Sequence, residues 1–85
     1  MDYSYKTRGT CSSVINFSVD ENGIVSNIKY TGGCHGNLQA VARLADGMTI
    51  DEVITRLGGI RCGMKSTSCG DQLAQALIQI RDGQN

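Results

Sequence analysis

Four cysteines, Cys11, Cys34, Cys62 and Cys69, are the residues of this 85-residue chain best suited to chemistry. Thiolates are soft ligands that suit Zn²⁺ or an iron–sulfur cluster, and two thiols brought together can cycle between dithiol and disulfide. The competing role is inert packing, because a cysteine without a partner behaves as a small hydrophobe. The four are widely spaced and no two form a Cys-x-x-Cys pair, so spacing alone is a weak zinc signature. His35, beside Cys34, is a further donor candidate, although a single His in a polar loop is more commonly solvated. The rest of the chain offers little for catalysis. There is one His and no discernible Ser/His/Asp set. Gly32-Gly33-Cys34-His35-Gly36 lacks the Lys and the spacing of a phosphate-binding loop. No catalytic residue is assigned.

The elements that must position these thiols are readable from periodicity. Tyr3-Ser4-Tyr5-Lys6 alternates as a short edge strand. From Val14 to Asp20, Ile15, Phe17 and Val19 share one face of a strand. Asp20-Glu21-Asn22-Gly23 is hairpin-turn chemistry, and Ile24 to Thr31 returns as the partner strand with Ile28 and Tyr30 on one face. After the glycine-rich bend, Asn37 is a candidate cap for a helix bearing Leu38, Val41, Ala42 and Ala45, with Gly47 as its stop. Thr49-Ile50-Asp51-Glu52 is a capping box that opens a short helix ending at Gly58-Gly59. Ile60 to Ser66 is a linking segment. Ser68 then caps a last helix, with Asp71 expected to complete a second capping box. Leu73, Ala74, Leu77, Ile78 and Ile80 mark its apolar side, and Gln72, Gln75, Gln79 and Asp82 the opposite one.

Every cysteine therefore falls at a junction: Cys11 before the central strand, Cys34 between strand and helix, Cys62 in the linking segment and Cys69 in the first turn of the last helix. That last position lies at the positive end of the helix dipole, which favours a negatively charged group. Thiols at element ends beside glycines suit a metal site better than a core. The fold class expected is α+β, a small three-stranded antiparallel sheet followed by three helices, in one domain spanning residues 1–85.

Composition narrows the function classes. Eight basic and eight acidic residues cancel, and no block of like charge is present, which argues against nucleic acid or a membrane surface as partner. No apolar run has the length of a transmembrane span, and Met1-Asp2-Tyr3-Ser4 does not begin a signal peptide. The cytoplasm is the expected location, and in a reducing compartment cysteines are more commonly ligands or redox thiols than structural disulfides.

At Thr67-Ser68-Cys69-Gly70-Asp71-Gln72-Leu73-Ala74 the chain resembles the TSCPD domain family, with Gly70 where that motif has Pro. The resemblance extends to Cys11, the Asp20-to-Gly23 turn, Gly32-Gly33-Cys34-His35-Gly36-Asn37-Leu38, Gly47-Met48 and Gly59-Ile60-Arg61-Cys62-Gly63. Such domains occur as small free-standing proteins and at the C-terminus of ribonucleotide reductases, chiefly cobalamin-dependent ones. The resemblance implies an association with a ribonucleoside-diphosphate reductase, and so with DNA synthesis. The chain is too short to be such a reductase alone. A more distant similarity is to U-type iron–sulfur scaffold proteins, in which three cysteines and a neighbouring acid or His hold zinc or a nascent cluster. By position Cys11, Cys34 and Cys69 would take those roles, with Cys62 an additional candidate. Ser12 and Ser13 follow Cys11 where the scaffold has its acid, and Ser68 precedes Cys69 where it has His.

Together these readings give a cytoplasmic domain that gathers Cys11, Cys34, Cys62 and Cys69 around Zn²⁺, with an iron–sulfur cluster as the alternative. Its partner would be a ribonucleotide reductase or another protein. Two rivals stand beside this reading: a thiol redox component working through Cys62 and Cys69, and a metal-free interaction domain.

Overall fold

In the computed structural model, which describes residues 1–33 and 35–83, the chain runs β1 (Asp2–Lys6), β2 (Ser12–Val19), β3 (Val25–Gly32), α1 (His35–Ala45), α2 (Ile50–Leu57) and α3 (Cys69–Arg81). The strands form one antiparallel sheet in the order β1-β2-β3. This is the α+β arrangement that the strand and helix periods predict.

The β2–β3 turn is made by Asp20, whose Oδ1 accepts the N–H groups of Asn22 and Ile24, each at 2.9 Å. Gly23 supplies the left-handed residue at φ +77°. Beyond the turn the hairpin departs from simple alternation. Val25 and Ile28 are both buried, with Asn27 between them at φ +53°, opposite a register shift between Asn16 and Ser18. The extra residue is a bulge that turns Val25 inward. Ile24, expected to open the strand, stays outside it in a bridge to Thr49.

The helix starts follow local chemistry in two cases and depart from it in one. Thr49 and Glu52 make the full reciprocal capping box of α2. Ser68 Oγ accepts the Asp71 N–H at 3.0 Å and caps α3. α1, however, begins at His35, so Asn37 is already helical and is not the cap. The left-handed pair Gly32 and Gly33, at φ +80° and +81°, turns the chain sharply enough for an earlier start.

The core joins Ile15, Phe17, Val19, Val25 and Ile28 of the sheet to Ala45, Val53, Leu73, Ala76 and Leu77 of the helices. Tyr3 stacks on Phe17 with ring centroids 5.5 Å apart, tying β1 to that core. No described helix is long and apolar enough to cross a membrane.

Candidate thiol site

Three segments that each carry or adjoin a cysteine meet at one end of the sheet. Cys11 closes the β1–β2 loop, and Ser12, the first residue of β2, is buried. Cys69 opens α3, and its Sγ lies 3.1 Å from Ser12 Oγ. Gly33, which precedes Cys34 in the chain, packs against the same place. A Cβ at Gly33 would stand 3.3 Å from Cys11 Sγ, 3.2 Å from Ser12 N and 2.8 Å from Leu38 Cδ1. The bare glycine thus lets the backbone pack closely on Leu38, Ser12 and the Cys11 sulfur, where a side chain would force Leu38 to shift. Cys11 is exposed and Cys69 partly buried, so the site opens to solvent.

Tyr30 holds the start of α3 to β3: its hydroxyl donates to the Cys69 carbonyl at 2.9 Å. Burial, and after it the charge of nearby Cys69, pushes the phenol pKa far above its ordinary value, so the hydroxyl stays protonated and donating.

Cys62 lies in the exposed segment between α2 and α3. Its N–H donates to the Thr67 carbonyl at 3.1 Å, and its own carbonyl accepts from Lys65 N–H at 3.0 Å. Among the described residues no three His, Cys, Asp or Glu side chains group as a metal would require. Cys11, Cys62 and Cys69 therefore form no complete ligand set by themselves. Cys34 lies outside the described residues, as does the side chain of His35.

A buried polar relay ties the cysteine-bearing loops together. Gln72 Oε1 accepts the Arg8 N–H of the β1–β2 loop at 3.0 Å, and Gln72 Nε2 donates to Thr67 Oγ1, also at 3.0 Å. The Thr67 hydroxyl donates to Asp71 Oδ2 at 2.5 Å. Asp71 Oδ1 accepts the Gly59 N–H at 2.7 Å, and Gln75 Nε2 donates to Oδ2 at 2.8 Å. Burial raises the Asp71 pKa, but the hydrogen bonds from Thr67, Gly59 and Gln75 outweigh it and hold the carboxyl below its ordinary value.

Two expectations are corrected here. Asp71 does not return a capping-box bond to Ser68, because its carboxylate is committed to Thr67, Gly59 and Gln75. Gln72 does not face solvent opposite the apolar side; it is 3% exposed and bridges two loops. The local signal for that burial is Ala76, small, apolar and one turn further along the same side of α3. Ser12 carried no comparable signal, since only the docking of α3 gives its hydroxyl a sulfur to meet.

The stretch Thr67-Ser68-Cys69-Gly70-Asp71 thus divides into parts. Thr67 and Asp71 bind one another and the preceding linker, Ser68 caps the helix, and Cys69 alone turns a reactive group toward Ser12. A family model described as the TSCPD domain matches residues 2–81. The chain belongs to the TSCPD domain family. The match covers every strand and helix, so the relay and the thiols all lie within the TSCPD domain. Comparison with curated proteins and with solved structures finds no match.

The cysteine sulfurs of this TSCPD domain are soft donors. Cys11 Sγ and Cys69 Sγ both lie against Ser12 or its packing neighbour Gly33, and Cys34 is one residue further along the chain. Thiolate ligands of this kind suit tetrahedral Zn²⁺ or an iron–sulfur cluster.

Proposed function

We propose that this TSCPD domain holds Zn²⁺ through Cys11, Cys34 and Cys69, with Cys62 as the fourth ligand, and acts as a cytoplasmic accessory module for a ribonucleotide reductase or another protein partner. The observation that carries this reading is the meeting of the Cys11 and Cys69 segments at Ser12, although the two cysteines lie in the first loop and the last helix. An iron–sulfur cluster is the alternative occupant of the same thiolates. A bound metal would supply cross-links between loops, and in a chain with so small a core those links would add directly to folding stability. The residues of the chain do the rest. Ser12 fills the space beside Cys69, Gly33 lets the backbone close on Cys11, and Tyr30 fixes the first turn of α3.

Metal analysis of protein purified without oxygen tests the proposal. The expected result is about one metal ion per chain, as for a structural zinc site. Cys69→Ser should lose it, and Cys62→Ser should lose less because water or His35 can complete the shell. Chelator should lower the melting temperature by many degrees. Metal-free protein whose melting ignores chelator would overturn the reading.

The Cys62–Thr67 backbone bond favours a second reading, because it folds the linking segment back toward the residue two before Cys69. Under it, Cys62 and Cys69 give up two protons and two electrons to a reductase disulfide and are left joined by their own S–S bond. A clean two-electron titration against glutathione, abolished by either Ser variant and seen in metal-free protein, would install this reading in place of the first.

A further inference from the structure

β3 is an edge strand, with β2 on one side and no strand on the other among the described residues. The pleat decides which backbone groups face the open side. The Thr7 N–H donates to the Ser13 carbonyl at 3.0 Å, and the Val19 N–H donates to the Met1 carbonyl at 2.9 Å. Odd-numbered residues of β2 therefore bond toward β1. Even-numbered ones bond toward β3, where Val14 and Asn16 are in register with Thr31 and Lys29. By alternation, the N–H and C=O groups of Ile28 and Tyr30 point away from the sheet.

The earlier part of this edge is already occupied. The Val25 N–H donates to the Met48 carbonyl and the Val25 carbonyl accepts the Gly47 N–H, both at 2.8 Å. The Asn27 N–H reaches Asp46 Oδ1 at 3.3 Å. The bonds that close this earlier part of the edge do not extend to the outward groups of Ile28 and Tyr30. That open stretch borders a groove of about 390 Å³ whose opposite wall is α1. Ile28, Lys29 and Tyr30 line it from the strand, and Leu38, Ala42 and Arg43 from the helix. Neighbouring residues that point to opposite faces of β3 both line it, so the groove follows the strand edge. Lys29 and Arg43 bring two positive charges to it, and neither is ion-paired with a described acid.

We propose that this groove binds an extended acidic peptide segment of a partner protein, added to β3 as a fourth strand. The backbone of Ile28 and Tyr30 would supply the ladder, as in strand-addition recognition generally. On the face away from α1 the acidic side chains would lie beside Lys29, on the α1 face apolar ones would lie on Leu38 and Ala42, and the Arg43 charge would add attraction across the groove. A second copy of this chain fits less well, because two-fold pairing of β3 with itself would set Lys29 and Arg43 against their own images. The proposal is independent of the metal.

The test uses the whole domain and the peptide acetyl-Val-Glu-Val-Asp-Val-amide. Backbone amide NMR shifts should concentrate at residues 28–31 and along α1. Replacing both acids by Lys, or the domain change K29E/R43E, should weaken binding about tenfold, a loss that added salt should partly reproduce. Methylating alternate peptide nitrogens gives two probes. The one whose methyls fall on ladder N–H groups should lose about tenfold or more, and the other should bind nearly as well as the parent. No binding, equal binding by both methylated probes, shifts centred elsewhere, or a dimer formed through β3 would each overturn the proposal.

Discussion

Ser12 Oγ and Cys69 Sγ stand 3.1 Å apart although 57 positions separate the residues. The contact joins the first residue of β2 to the first residue of α3, so it reports the docking of the last helix on the sheet. Ser12 is nearly buried, and its hydroxyl has one other side-chain partner, Thr10 Oγ1 at 3.2 Å. In metal-free protein, Ser12→Ala should cost about 1 kcal/mol, the usual net value of one such bond. A double-mutant cycle with Cys69→Ala, read by urea denaturation, should return a coupling of about 0.5–1 kcal/mol. Purely additive losses would mean that the two groups do not interact.

The Gln72 side chain links the loop before Cys11 to the motif around Cys69. Gln72→Leu keeps its bulk but leaves the Arg8 N–H and the Thr67 hydroxyl each short of a partner. An abandoned polar group costs about 1–3 kcal/mol when it is fully buried, and Arg8 N is only partly so. A loss of about 2 kcal/mol in denaturant is expected, with faster protease cleavage between β1 and β2. A surface role would leave both measurements unchanged.

Acid should weaken the fold through two carboxyls whose pKa values are lowered. Burial works against Asp71, but Thr67, Gly59 and Gln75 more than offset it; Glu52 is lowered first by the Thr49 backbone bond. A carboxyl whose pKa is lower in the folded chain binds fewer protons there than when unfolded. Its stabilisation is fully present above the unfolded value of about 4 and is lost as pH falls through the folded value. Urea midpoints should therefore be flat near neutral pH and drop below about pH 4. Asp71→Asn should lower the neutral midpoint and make the acid limb shallower. An unchanged acid limb would show that Asp71 titrates alike in both states.

What was legible in the sequence was what neighbours in the chain decide. The Asp20–Gly23 turn, the Thr49–Glu52 capping box and the Ser68 cap each close within four residues, so their chemistry is complete in a short window. Asn27 already marks the limit, because its left-handed bulge depends on pairing with β2, and it turned Val25 inward against simple alternation. Gln72 and Asp71 mark it more clearly. Helical period alone set Gln72 on the solvent side and left Asp71 as a cap, because their partners, Arg8 and Gly59, come from other segments of the chain. Ser12 sits in a polar Thr-Cys-Ser-Ser run that locally reads as loop, and its meeting with Cys69 exists only once α3 has docked.

Gly33 and Gly70 each sit beside a cysteine, and substitution by Ala should move stability in opposite directions. Gly33 is left-handed at φ +81°, and an added Cβ would crowd Leu38 Cδ1, Ser12 N and Cys11 Sγ together. The backbone alone makes Ala cost about 1–2 kcal/mol there, and the displaced Cys11 sulfur should also weaken any metal held at the site. Gly70 lies in the first turn of α3 with no such conformation, and its added Cβ would meet Leu57 Cδ2 at 3.5 Å, an ordinary contact. Ala restricts the unfolded chain and suits the helix, so Gly70→Ala should add about 0.5–1 kcal/mol. For a domain of this size that raises the melting temperature by about 3–6 °C. Calorimetry of the two variants in chelator isolates the fold from the metal, and a Gly70→Ala protein that melts below the parent would show that the start of α3 has no room for a side chain.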